Sequence, residues 1–392
     1  MILRISLLLI AVCPATCHGQ SVPLCPSVLL INKPHHRSGI EQLRKVAKLG
    51  FQEVNLVVSL RCEIDSEGRV LSYGFVRKGR YRSLSDDILN SFRAELLAIC
   101  REAKRLGLRL SLLPHLDSAG ENYDWRNHYD FDPLRFYKGF SYDQAIIESL
   151  LLALSRSGYD EEEVHFALSG EMGRSLFLYP DSYLAILKQM RQEQRLKNVR
   201  IGVSLNFSEV DGKAEPSHSA QVQAFIQQCD FLGFSHYRPF EPPARATHFA
   251  ASKANFLREL KEKRVQVPKS MPLHLSEVAL GGGSADSPVA ASTIDAAATP
   301  WEGSADPRLN PWEQPELREL RTNYHEALLD YLSDPMIAKK VSDNPITAAY
   351  LWCEGSWDPL DIAEDGFADE VITRLIQEHN RGKFRSVLSE PK

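Results

Sequence analysis

Residues 163–205 read EVHFALSGEMGRSLFLYPDSYLAILKQMRQEQRLKNVRIGVSL. Two short apolar runs, 163–169 and 199–205, flank a segment, 180–196, whose apolar positions recur at helical spacing. Pro180 and Asp181 open that segment as a first helical turn prefers. The flanking runs are short and apolar, with β-branched residues in each, as strands covered by helices are. The stretch is therefore one strand–helix–strand unit.

The unit repeats in both directions. The pattern predicts further strands at 28–32, 53–59, 108–113, 231–235, 272–276 and 346–352. Helices are predicted at 39–49, 85–106, 142–157, 217–228, 253–264, 316–332 and 367–379, with Ser85 a sound N-cap. Eight strand–helix units argue for an α/β protein, a closed single-domain (β/α)8 TIM barrel. An open doubly wound sheet is the alternative, but its first strand usually runs into a Gly-rich turn. Here the first strand ends in Asn32-Lys33-Pro34-His35-His36. Two connections are long, 117–140 after the third strand and 279–314 after the seventh. Both leave the C-terminal ends of strands, the barrel face that carries chemistry. The Ala/Gly/Ser-rich part, 281–299, reads equally well as a disordered insertion.

Composition bounds the partners. The chain has 392 residues, 43% hydrophobic and 25% charged, enough for a full core. Its net charge of −5 is spread along the chain without a basic run, which argues against a nucleic-acid partner. Arg4, the apolar run 5–12 and small residues up to Gln20 read as a secretory signal peptide, residues 1–20. That leaves 21–392 as the catalytic barrel, in a secreted or periplasmic protein. The apolar run is too short to span a membrane, and no transmembrane segment is expected. A lipid anchor on Cys13 or Cys17 fits the preceding residues poorly. The remaining cysteines, Cys25, Cys62, Cys100, Cys229 and Cys353, have neither zinc-site spacing nor the density of a disulfide scaffold, though one or two bridges stay open. No metal or cofactor is expected: His35 and His36 are adjacent, and no His-Glu-x-x-His or Gly-x-Ser-x-Gly occurs.

Only residues at the C-terminal ends of barrel strands can share a site. The second strand ends near Arg61, the third at His115 and Asp117, and the fourth at Ser169-Gly170-Glu171. The fifth ends at Asn206, the sixth at His236-Tyr237-Arg238, the seventh at Ser276-Glu277 and the eighth at Trp352-Cys353-Glu354. Glu171 and Glu277 thus face each other across the barrel mouth. A retaining glycosidase needs such a pair, one carboxyl as acid/base and one as nucleophile. The sequon at Asn206-Phe-Ser208 ends a strand and is discounted as a glycan site.

The segments Ser169-Gly-Glu-Met-Gly173, Gly233-Phe-Ser-His-Tyr237 and Leu275-Ser-Glu-Val278 make the chain resemble glycoside hydrolase clan A, and within it family 113, which includes endo-β-mannanases. The resemblance spans about 28–379. It implies Glu171 as acid/base, Glu277 as nucleophile and a poly- or oligosaccharide as substrate. It also implies sugar-side roles for Arg61, His115, His236, Tyr237 and Trp352. Tyr237 is expected to hold Glu277 by a hydrogen bond, Arg61 to keep Glu277 ionised, His115 to bind a sugar hydroxyl and Trp352 to form the floor. Tyr123, Trp125, Tyr129, Phe131 and Trp357 are candidates to extend that floor. Asp117, Glu354 and Asp358 are rival carboxylates that could bind hydroxyls. One position departs. Most clan members carry asparagine before the acid/base glutamate, contacting the sugar 2-hydroxyl; here it is Gly170. That contact comes from elsewhere, or the substrate lacks the usual 2-hydroxyl, as an N-acetylated sugar does, or activity is lost.

Overall fold

The computed structural model describes residues 21–384 apart from 31–36, 78, 121, 193–196, 216–217, 284–291, 335–336 and 338–341. The expected signal peptide, the turn after the first strand and part of the Ala/Gly/Ser-rich stretch lie outside the described residues. Ten strands form one sheet: β1 (Leu24–Leu30), β2 (Glu53–Ile64), β3 (Val70–Arg77), β4 (Arg80–Ser83), β5 (Arg109–Ser118), β6 (Val164–Gly170), β7 (Val199–Asn206), β8 (Phe231–His236), β9 (Leu273–Val278) and β10 (Ile346–Leu351). Eight run parallel in the order β1-β2-β5-β6-β7-β8-β9-β10, and β10 pairs back onto β1 through Leu24 and Ala349. The sheet closes, and the fold is the (β/α)8 barrel the pattern predicts.

Local chemistry explains the elements. α1 (Gly39–Lys48) starts at a reciprocal cap in which Ser38 and Glu41 satisfy each other's backbone N–H groups. α2 (Asp86–Arg105) starts at Ser85, whose hydroxyl accepts from the Ile88 N–H. The pattern assigned no strand to 60–84, yet β2 runs on to Ile64 and folds back through β3 and β4 as an antiparallel extension. Its turn is made by Asp65, whose carboxylate accepts from the Glu67 and Arg69 N–H groups, and by Gly68 at φ +77°. The helix expected from 253 starts earlier and spans Ala246–Glu262.

The barrel axis is filled, as this fold requires. Leu29, Val57, Leu113, Ala167 and Phe231 form an apolar plug, and Trp352 packs on it. All five described cysteines are free and buried, so the bridges left open by the sequence do not form among them. No helix among the described residues is long and apolar enough to cross a membrane.

Candidate active site

Strand register places the first three side chains. β2 and β5 pair without interruption, setting Ser59 beside His115 and Arg61 beside Asp117. Paired residues on parallel strands share a face, so Arg61 meets Asp117, Nη1 to Oδ2 at 3.5 Å. Arg61 was expected to act on Glu277; its observed partner is the aspartate beside it.

Farther round, the register slips, and the slips aim the catalytic candidates. Between Ala167 and Gly170 the β6–β7 pairing is irregular. Gly170 is thereby turned towards the axis, where a Cβ would lie 2.6 Å from His115 Cδ2 and 2.9 Å from Leu113 Cδ1. Between β8 and β9 an extra residue sits on β9, so Phe234 pairs with Leu275 but Ser235 with Glu277. Strict alternation would put Glu277 and Ser276 on opposite faces; the slip carries Glu277 into the mouth.

Both glutamates are buried, 4% exposed for Glu171 and 2% for Glu277. Glu277 Oε2 accepts from the Tyr237 hydroxyl at 3.2 Å. Its Oε1 lies 2.9 Å from His115 Nε2, without the geometry of a hydrogen bond. Burial, with the negative charges of Glu277 and Glu171, pushes the Tyr237 hydroxyl well above its ordinary range, so it remains a donor. His115 stacks on Trp352 with ring centres 5.7 Å apart. His115 therefore sits between the Glu277 carboxylate and the Trp352 ring.

Glu171 stands in the left-handed region at φ +57°, a strained setting for a residue with a side chain. Its Oε1 accepts from the Asn206 amide at 2.7 Å and from the Ser235 hydroxyl. Its Oε2 accepts from Arg126 Nη1 at 2.8 Å and from the Trp125 indole at 3.4 Å. Burial works to raise its pKa, but the Arg126 charge and the Ser235 and Asn206 hydrogen bonds outweigh it and hold Glu171 below the ordinary carboxylate range. Arg126 also grips Asp117 Oδ1 through Nε and Nη2, at 3.1 and 2.8 Å. Against burial, the charges of Arg126 and Arg61 help bring Asp117 down to about 2.

Several expected residues fall elsewhere. His236 follows Ser235 on β8 and points the other way, into the helical layer. It stacks on Phe249 at 4.7 Å and meets His248 edge-on at 5.0 Å, so it is not a sugar ligand of this site. Tyr129 and Phe131 are core residues, whereas Tyr123 is 87% exposed. The Trp357 indole N–H donates to the Pro300 carbonyl at 3.1 Å and so fastens the loop after β9. Asp358 is buried and accepts from the Leu360 and Ile362 N–H groups. Glu354 is half-buried just before the single turn Gly355–Trp357. Asn206 is 5% exposed, which bars a glycan there. Arg126, Asn206 and Ser235 reach Glu171 although the sequence reading did not select them. Inward alternation on β8 points to Ser235, and the end of the fifth barrel strand to Asn206. Arg126 carries no local signal, because it stands inside a long loop.

This geometry can be set beside known proteins. Two structures of glycoside hydrolase family 113 β-1,4-mannanase superpose on the chain with a TM-score of 0.51 at 14% identity, over 92% of this chain and 99% of theirs. The chain has their fold. A family 113 β-mannanase from Alicyclobacillus acidocaldarius gives 0.49 at 14% identity, over 92% and 98%. No family model and no curated protein sequence matches the chain.

Proposed function

We propose that the chain is a retaining glycoside hydrolase that cleaves a β-linked poly- or oligosaccharide by double displacement, and that it acts outside the cytoplasm. The observation that carries this reading is a pair of buried glutamates on the fourth and seventh barrel strands, above an aromatic floor. Glu277, bonded to Tyr237 and beside His115, attacks the anomeric carbon. Glu171 first gives a proton to the leaving oxygen and then takes one from water. Trp352 lies under the sugar ring, and Arg61 and Asp117 meet hydroxyls at the rim. The fold is shared with family 113 β-1,4-mannanases, so mannan is the first substrate to try.

Glu171→Gln and Glu277→Gln are each expected to lower the hydrolysis rate by about 10²–10⁴-fold or more without loss of the folded circular-dichroism spectrum. Full activity in both would reject the assignment. A mechanism-based inhibitor mapped by mass spectrometry is expected on Glu277.

A second reading is a carbohydrate-binding barrel without turnover. It is favoured by Glu171 itself, held as a carboxylate by four donors. Binding without turnover across mannan, glucan, chitin and peptidoglycan fragments would establish it.

A further inference from the structure

The segment 124–128 lies against Glu171 and is anchored at most of its side chains. Asp124 bonds the His128 ring, which also meets Glu209 at 3.2 Å. Asn127 accepts from the Gly173 N–H at 2.8 Å and donates to the Glu209 carbonyl at 2.6 Å. Trp125 and Arg126 are thereby fixed on Glu171 Oε2. Of the four donors around that carboxylate, the Arg126 guanidinium, the Asn206 amide N–H and the Trp125 indole N–H cannot accept a hydrogen bond from a protonated Glu171; only the Ser235 hydroxyl can. The site is thus built around the ionised form.

We propose that Arg126 is a positioning residue that sets the balance between the two half-reactions by keeping Glu171 in its basic form. This rests on the glycosidase reading above. In the first half-reaction the bond from Glu277 Oε to the anomeric carbon forms and the glycosidic C–O bond breaks. The leaving oxygen takes the proton of Glu171. In the second half-reaction the bond from water oxygen to the anomeric carbon forms, the Glu277 ester bond breaks, and Glu171 takes the proton of water. Arg126 favours the state needed for the second step and makes the state needed for the first one scarce at neutral pH. The charged and titratable groups facing Glu171 are Arg126 from the loop after β5, His115 on β5, Tyr237 after β8 and Glu277 on β9. Asp117 and Arg61 stand behind Arg126. Arg126 is the cation in direct contact.

Substrates should divide accordingly. A glycan whose leaving group needs the proton will show kcat/KM falling on an alkaline limb set by Glu171. An aryl glycoside with a good leaving group will not. The test is an isotope-edited infrared pH titration of the Glu171 carboxyl in the full chain, with the Glu171→Gln spectrum subtracted. In Arg126→Gln the midpoint is expected to rise by roughly one pH unit or more. In Arg126→Lys, which keeps the charge, it should stay near the wild-type value. A midpoint unmoved in Arg126→Gln overturns the proposal. If that variant does not fold, Asp117→Asn tests the same idea. It leaves the Arg126 charge less shared, the midpoint should fall, and a rise overturns the proposal. The titration reads Glu171 whether or not any glycan is hydrolysed. Failure of the glycosidase reading and failure of this inference are therefore separate results.

Discussion

One missing carbon decides what position 170 does. His115 fills the volume that a side chain there would need, with Nε2 2.7 Å from the ideal Cβ. A side chain at position 170 is therefore incompatible with this placement of His115, and Gly170 and His115 belong to one packing solution. Gly170→Ala is expected to cost about 1–3 kcal/mol by overpacking and to push His115 off Glu277, lowering kcat with it. Thermal melting and the hydrolysis rate check both, and an unchanged rate would remove His115 from the site. His236 gives the opposite case. Burial holds its pKa well below 6.5, so the folded chain keeps it neutral while the unfolded chain takes up a proton. Stability from this neutral ring is present above about pH 6.5 and lost as pH falls below that value. His236→Phe should leave the hydrolysis rate nearly unchanged and narrow the gap in melting temperature between about pH 7 and pH 5, because it removes a ring that only the unfolded chain protonates. A rate collapse would return His236 to the site. His236 was expected in the site because it ends the sixth barrel strand, where the family resemblance implies histidine or tyrosine, but on a strand the face is set by parity, and parity favoured Ser235.

The elements show where legibility stopped. Every barrel strand was readable, because a run such as Leu56 to Val58 is apolar on both faces, as a strand between axis and helices must be. Register slips leave no such trace, and those on β6 and β9 aim Gly170 and Glu277. The Gly-rich stretch after β9 was balanced between order and disorder. Its first part is ordered: Gly282 bridges Gly303, and a Cβ on Gly281 would lie 2.0 Å from the Glu302 carbonyl oxygen. Ser356 is the hub. Its hydroxyl donates to the Gly281 carbonyl at 2.5 Å and accepts from the Ser304 N–H at 2.8 Å. Its own carbonyl accepts from the Trp312 indole and from buried Arg321, at 2.7 and 3.1 Å. Ser356→Ala strands a buried N–H and a buried carbonyl, at a cost of about 1–3 kcal/mol. Because this loop leaves β9 just past Glu277, hydrogen exchange across 279–283 should accelerate. Exchange unchanged there would show that the loop is held by other contacts.

At the scale of the molecule, the histidines set the acid edge. Burial lowers the pKa of His165, His236, His274 and His379, and brings His248 and His325 to about 4. Below about pH 6.5 the unfolded chain gains protons on these rings that the folded chain refuses, so stability falls as pH falls. Asp143 and Asp358, pushed up to about 6 by burial, oppose this, because the folded chain binds protons there first. Glu259 and Glu326 are raised in the same sense. Between pH 7 and pH 5 six histidines outweigh these carboxyls, and each net proton is worth roughly 1.4 kcal/mol per pH unit. The melting temperature should therefore fall steadily over that range, and a flat or rising curve would refute the accounting. On the proposed mechanism catalysis pulls the other way, because acid supplies the protonated Glu171 that the first half-reaction needs. The proposed activity is then bounded on its acid side by the fold rather than by the glutamate pair. Rates measured immediately after a jump from pH 7 to pH 5 should exceed those measured after prolonged incubation at pH 5. Equal rates in the two measurements would place the acid limit in the chemistry of the glutamate pair.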